Sequence, residues 1–212
     1  MPRLFAIGNI HGCSHALDAL LSKIQPQSDD TIVTLGDFVD RGPDSKGVLD
    51  RLIDLSKRCQ LVPILGNHDE MMLNARFSRS AFDGWMEMKG LTALQSYGSE
   101  AQIDLVPQKH FQFLESCRPY FETDTHIFLH ANYKPDMPLS FPDDHTQRWL
   151  SLRDYVPPKP HISGKTVIVG HTPQAEVLDL SYLVCIDTGC ATGGKLTALN
   201  VLTGEILQAT QR

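Results

Sequence analysis

Thr31-Ile32-Val33-Thr34-Leu35-Gly36-Asp37-Phe38-Val39-Asp40-Arg41-Gly42 reads as a short β-branched strand that stops at a glycine and gives way to charged residues. The pattern recurs on both sides. Leu4-Phe5-Ala6-Ile7-Gly8 is an apolar run followed by Asn9 and His11, and Leu61-Val62-Pro63-Ile64-Leu65 is followed by Gly66, Asn67 and His68. Between these runs, Ala16, Leu17, Leu20, Leu21 and Ile24, then Val48, Leu49, Leu52, Ile53 and Leu55, fall at helical spacing, with Ser14 placed to cap the first helix. Strands alternating with helices predict parallel pairing with the helices on a sheet face. Ligands of open α/β sheets gather at the carboxyl ends of strands. Three polar strand ends in the first 70 residues therefore predict one convergent site.

Outward from this core, residues 73–118 look helical and carry few Gly or Pro, which predicts a helical insertion covering one edge of the site. Trp85, Met86 and Met88 read as the apolar core of that insertion. Strands are predicted at 125–129, 166–169, 182–186, 195–201 and 205–209, with a hairpin turn at 200–205, giving a second, largely antiparallel sheet. Residues 132–160, rich in Pro and Asp, are predicted to be a surface loop, part of which (134–142) shapes substrate access. No repeat or low-complexity tract interrupts the chain, and a single α/β domain over 1–212 is expected.

The chain has 212 residues, 42% apolar and 21% charged, enough to bury a core without disulfides. With a net charge of −6 and no Lys/Arg run longer than two residues, it lacks the clustered cations that a nucleic acid requires. Cys13, Cys59, Cys117, Cys185 and Cys190 are odd in number and none pair as CxxC, which argues for a reducing compartment. The apolar start is broken by Asn9 and His11, and nothing approaches the roughly 18 apolar residues of a membrane span. No membrane partner and a cytoplasmic location are expected.

The chemistry-bearing residues sit at strand ends: Asn9 and His11, Asp37 and Asp40, Asn67 and His68, then His130 after Ile127-Phe128-Leu129, and His171 after Val167-Ile168-Val169-Gly170. One such histidine is ordinary loop chemistry. Five strand ends delivering the same kind of group point to metal ligation, and mixed carboxylate, amide and imidazole donors suit Mn²⁺, Fe or Zn²⁺ better than Ca²⁺.

Taken in order, Asn9-Ile10-His11-Gly12, Gly36 to Gly42, Gly66-Asn67-His68-Asp69, His130 and Gly170-His171 resemble the motif series of the phosphoprotein phosphatase branch of the calcineurin-like metallophosphoesterases. The resemblance implies an α/β/β/α sandwich of two mixed sheets with a dinuclear site between them. It implies that position 9 and His11 bind the first of two divalent ions, that Asp37 bridges both, and that Asn67, His130 and His171 complete the second; Mn²⁺ is the expected metal. Such a pair lies about 3.5–4 Å apart, and a water between the ions loses a proton to become the hydroxide that attacks phosphorus in line. Arg41 would hold the substrate phosphate together with Asn67 and Arg153, the latter chosen over nearby Arg148 for its position before 164–173. His68 would protonate the leaving alkoxide, oriented by Asp40. Thr188 and Gly189 would line the site, and His15, His110, His126, His145 and His161 match no motif and read as exposed or structural.

The departure that matters is Asn9, where the family carries Asp. It supplies an oxygen without a charge, so weaker first-site binding and reduced turnover are expected, with the fold intact. Asp69 for the Glu frequent in some branches, and Asn132 after His130-Ala131 where Gly is frequent, remove no ligand. The implied activity is phosphomonoester hydrolysis on a phosphorylated protein or peptide, as a serine/threonine or dual-specificity phosphatase. The alternatives are a dinucleoside tetraphosphate hydrolase and a catalytically impaired phosphate-binding protein.

Overall fold

The computed structural model describes residues 2–141 and 143–211. Strands β1 (Leu4–Ile7), β2 (Thr31–Thr34) and β3 (Gln60–Pro63) pair in parallel, with Leu4 opposite Thr31 and Thr31 opposite Gln60. Helices α1 (Ser14–Ile24) and α2 (Ser45–Leu55) make the crossovers. The strand period of two divides the apolar side chains. Phe5, Ile7 and Ile32 pack against Leu17, Leu20, Leu49 and Leu52 of the helices, while Ala6, Val33 and Leu35 face Phe128, Ile168 and Val184 of a second sheet. A continuous apolar run is thus a strand buried on both faces.

The second sheet contains β4 (Tyr120–Glu122), β5 (His126–Leu129), β6 (Thr166–Val169), β7 (Leu178–Asp179) and β8 (Leu183–Cys185) in the order β4-β5-β6-β8-β7. It is mixed, not largely antiparallel: β5–β6 and β6–β8 are parallel, and only the flanking pairs are antiparallel. The long connection 130–165 permits this, because parallel neighbours need a crossover. The C-terminal hairpin β9 (Leu196–Asn200) and β10 (Ile206–Ala209) forms as predicted but joins the first sheet, with Phe5 opposite Asn200. Its local alternation suits either sheet, so membership is decided by long-range pairing.

The crossover is less of a loop than its composition suggests, although residue 142 lies outside the described residues. It carries α7 (Asp144–Arg148) and buries Tyr133 and Leu152 against Leu129, Val167 and Leu183 on the outer face of the second sheet. Between β3 and β4, α3 (Asn67–Asn74) begins six residues before the start expected for the helical segment at 73, and α4 (Arg79–Trp85), α5 (Leu91–Ser96) and α6 (Gln108–Glu115) follow within 73–118, with a kink at 86–90 where Lys89 has φ of 78°. Ser14 proves to be the first helical residue of α1, and its N-cap, Cys13, makes no side-chain cap bond. In α2, by contrast, Asp44 caps through Gly47 N–H. No described helix is long and apolar enough to cross a membrane.

Candidate metal centre

The turns after β1, β2 and β6 aim their side chains through strained backbone. Among the described residues eight non-glycines have positive φ, and five of them are His11 (45°), Asp37 (52°), Asp40 (70°), Arg41 (64°) and His171 (62°). Each costs about 1 kcal/mol, so strain is concentrated where polar groups converge. Asp69 holds the β2 turn: its carboxylate accepts from Asp37 N (2.7 Å), Phe38 N (2.9 Å) and Gly66 N (3.1 Å). Gly66 cannot carry a side chain there, because a Cβ would strike the Asp37 backbone and carboxylate.

One half of the centre is a set of lone pairs with no protons left to share. His130 donates Nδ1–H to Leu35 O (2.6 Å) and His171 donates Nε2–H to Trp149 O (3.0 Å). Both tautomers are thereby fixed. Burial keeps both imidazoles neutral, lowering the His130 pKa and, with the neighbouring His130, holding His171 to about 4. Their remaining nitrogens then meet each other at 3.2 Å and Asn67 Oδ1 at 3.1 Å each, and His130 Nε2 lies 3.4 Å from Asp37 Oδ1. Four acceptors facing one another make sense around a cation.

The other half shares Asp37, which belongs to both ligand groups: His11, Asp37 and His68, and Asp37, His130 and His171. His11 donates Nδ1–H to Val39 O (2.8 Å) and points Nε2 at Asp37 Oδ2 (3.2 Å); that buried nitrogen has no hydrogen-bond partner among the described residues. Burial opposes ionisation of Asp37, but His130, His11 and His68 outweigh it and hold its pKa well below the usual range. Asn9 is where this half falls short. Its Oδ1 accepts from His171 N (2.9 Å), so its NH₂ group must face Asp37 Oδ2, at 2.9 Å. A flipped amide would set donor against donor and acceptor against acceptor. Asn9 therefore presents N–H to the place where a ligand oxygen would serve. The residues fit a cation fully on the His130 side and incompletely on the His11 side.

Beside the centre, His68 Nδ1 bonds Asp40 Oδ2 (2.7 Å) and its Nε2 faces Arg41 Nη2 (3.0 Å). Since guanidinium only donates, Nε2 is the acceptor and Nδ1 carries the proton. Arg153 is exposed and outside this cluster; among the described residues its backbone N–H reaches Ser151 Oγ, which contacts Thr172 Oγ1 (3.2 Å) next to His171. Arg148 is buried and bound to Glu70 and Asp144. Thr188 turns its hydroxyl to Lys195 O and Thr197, away from the centre.

Four residues have contacts at the site that the sequence reading did not give them. Asp69 anchors the turn as described. Glu70 accepts from Trp149 Nε1 (3.0 Å) and from Arg148, fixing the segment whose carbonyl orients His171. Trp85 reaches Asp40. Asp187 Oδ2 is buried without a partner among the described residues, and burial raises its pKa against the pull of His11 and Arg41. The Asp-Thr-Gly following a strand was the available signal for Asp187; the others depend on contacts far apart in sequence.

The His171 shift has a testable sign. Its folded pKa, about 4, lies below the unfolded value of 6.5, so the unfolded chain takes up the proton first as pH falls. This group's contribution is present above pH 6.5 and is lost toward pH 4, amounting to about 3 kcal/mol for a largely buried imidazole. Denaturant unfolding in EDTA should show this loss, and His171→Asn should lose correspondingly less. Parallel curves for the two proteins would contradict it.

The family model described as calcineurin-like phosphoesterase matches residues 2–194. Serine/threonine-protein phosphatase 1 of Salmonella typhimurium is 32% identical over 209 residues, covering 93% of this chain and 91% of its own. An asymmetrical bis(5'-nucleosyl)-tetraphosphatase PrpE of Oceanobacillus iheyensis is 30% identical, covering 97% and 91%. Among solved structures, the cold-active protein-tyrosine phosphatase of a Shewanella species superposes with a TM-score of 0.71 at 17% identity, covering 99% of this chain and 81% of that one. That last likeness speaks to the fold alone.

Proposed function

Because the chain belongs to the calcineurin-like phosphoesterase family, a family of metal-dependent hydrolases, we propose that it hydrolyses phosphate monoesters, with phosphorylated serine or threonine of a protein or peptide as substrate. The observation that carries this reading is the membership of one buried carboxylate, Asp37, in two ligand groups. Two divalent ions, Mn²⁺ for preference, would supply charge to the phosphoryl oxygens and acidify water.

The chain's own groups divide the remaining work. Asp37 would serve both ion sites; Asn67, His130 and His171 would hold one, and His11, with the uncharged Asn9 beside it, would hold the other more weakly. Arg41, exposed at the rim, takes the phosphate, with Arg153 as a second cation and Asn67 at its edge. Binding of phosphate would draw Arg41 from His68 Nε2, freeing that nitrogen to take a proton from solvent and pass it to the leaving oxygen, while Asp40 holds Nδ1–H. A cavity of about 340 Å³ bordered by Arg41, Pro43, Cys190 and Gln211 leaves room for the rest of the substrate. The five cysteines, all free, support a reducing compartment such as the cytoplasm.

The Salmonella relative favours the phosphoprotein substrate, and the Oceanobacillus relative is the reason to keep dinucleoside tetraphosphate as a second reading. With Mn²⁺, a phosphoserine peptide should be turned over with kcat/KM at least about tenfold above diadenosine tetraphosphate, a difference of about 1.4 kcal/mol in barrier. The reverse order would assign the tetraphosphatase activity. No release from either substrate or from a chromogenic ester would leave only phosphate binding.

A further inference from the structure

Asp40 is fully buried, and among the described residues its carboxylate has two partners, His68 Nδ1 at 2.7 Å and the indole Nε1 of Trp85 at 3.0 Å from each oxygen. Trp85 closes α4, 45 residues away, inside the helical insertion. Apolar packing alone would not aim its one polar atom at a carboxylate, and indole N–H can only donate. The ring is confined on two sides. Phe82 meets it edge-on with centroids 6.1 Å apart. Gly90, brought back by the kink at 86–90, lies so close that a Cβ there would sit 2.6 Å from two indole carbons.

We propose that Trp85 is a positioning residue for proton delivery: its bifurcated N–H locks the Asp40 carboxylate, and Asp40 in turn keeps His68 aimed at the leaving oxygen. The inference rests on the phosphomonoesterase reading above. In the step it serves, a water-derived oxygen bonds to phosphorus as the ester P–O bond breaks and its electron pair goes to the leaving oxygen; His68, protonated at Nε2 from solvent once phosphate has drawn Arg41 away, gives that proton to the leaving oxygen and returns to neutral imidazole with Nδ1–H still on Asp40. The insertion is thereby part of the catalytic geometry, not only a cover for the sheet.

Trp85→Phe keeps a flat aromatic ring and removes the N–H. The variant should be compared with wild type, both loaded with Mn²⁺, on two esters that differ in need for the acid. On phenyl phosphate, whose leaving group requires a proton, kcat should fall about tenfold or more with KM within about twofold. On 2,4-dinitrophenyl phosphate, whose leaving group does not, kcat should stay within about twofold. Equal losses on both esters, or no loss on either, would overturn the proposal. Gly90→Ala decides the matter if Trp85→Phe does not fold: the backbone at 90 is helical and accepts alanine (φ −59°), so the added methyl acts on the indole, and the same ester-selective loss is expected. An NMR readout separates this inference from the reading beneath it. In ¹⁵N-histidine-labelled protein, the hydrogen-bonded His68 Nδ1–H signal should be sharp in wild type and broadened by exchange in either variant. A wild type inactive on both esters, with the signal sharp in wild type and broadened in the variants, would sink the phosphomonoesterase reading and leave the positioning role standing. An unchanged signal would sink the positioning role.

Discussion

Asp37→Asn should reduce turnover of 4-nitrophenyl phosphate at saturating Mn²⁺ by at least about 1,000-fold, a barrier increase of about 4 kcal/mol. The substitution keeps the shape of the side chain and removes the charge that both ligand groups share. Asn can present an oxygen to one ion only, and its NH₂ would face either Asn9 Nδ2 or His68 N–H, both donors that now point at Asp37. The same change releases His11, whose pKa Asp37 raises against the effect of burial. Metal content should fall together with rate, and atomic absorption on the gel-filtered protein would report it. Activity within tenfold of wild type would show that Asp37 does not hold the centre together.

Asn9→Asp should work in the opposite direction, raising apparent Mn²⁺ affinity about tenfold or more and increasing turnover. The buried amide already occupies the place of a ligand, with Oδ1 bound to His171 N and NH₂ against Asp37 Oδ2. A carboxylate would keep the first bond and turn a second oxygen toward the ion site. Without metal that oxygen faces Asp37 at hydrogen-bond range as like charge against like. The substitution should therefore lower the melting temperature in EDTA and raise it in Mn²⁺, relative to wild type. Titration calorimetry and thermal unfolding in both conditions check the two halves of this expectation. A variant with unchanged Mn²⁺ affinity and activity would mean that position 9 is not part of the centre.

The site was legible in sequence because its donors follow short apolar strands, and strand ends in a parallel sheet point the same way. Gly36-Asp37 and Gly66-Asn67 carry that information locally, and so do the runs that bury Ala6 and Val33 between two sheets. What stayed hidden is set by long-range contacts. The hairpin 196–209 has a pattern that either sheet would accept, and only its pairing with Phe5 and Ile7 assigns it. Parallel pairing of β5 with β6 follows from a long crossover that composition marks as loop. The orientation of the Asn9 amide is fixed by His171, 162 residues away, and Trp85 looks like core until its N–H is traced to Asp40. Charge and apolarity can be read residue by residue, whereas a hydrogen bond's direction needs both partners.

Crystals soaked in Mn²⁺ and measured at the manganese absorption edge test the central claim most directly. Two anomalous peaks about 3.5–4 Å apart are predicted, with Asp37 between them, His130, His171 and Asn67 on the stronger and His11 on the weaker. In Asn9→Asp crystals the weaker peak should gain occupancy. No anomalous peak within bonding distance of Asp37 would contradict the account.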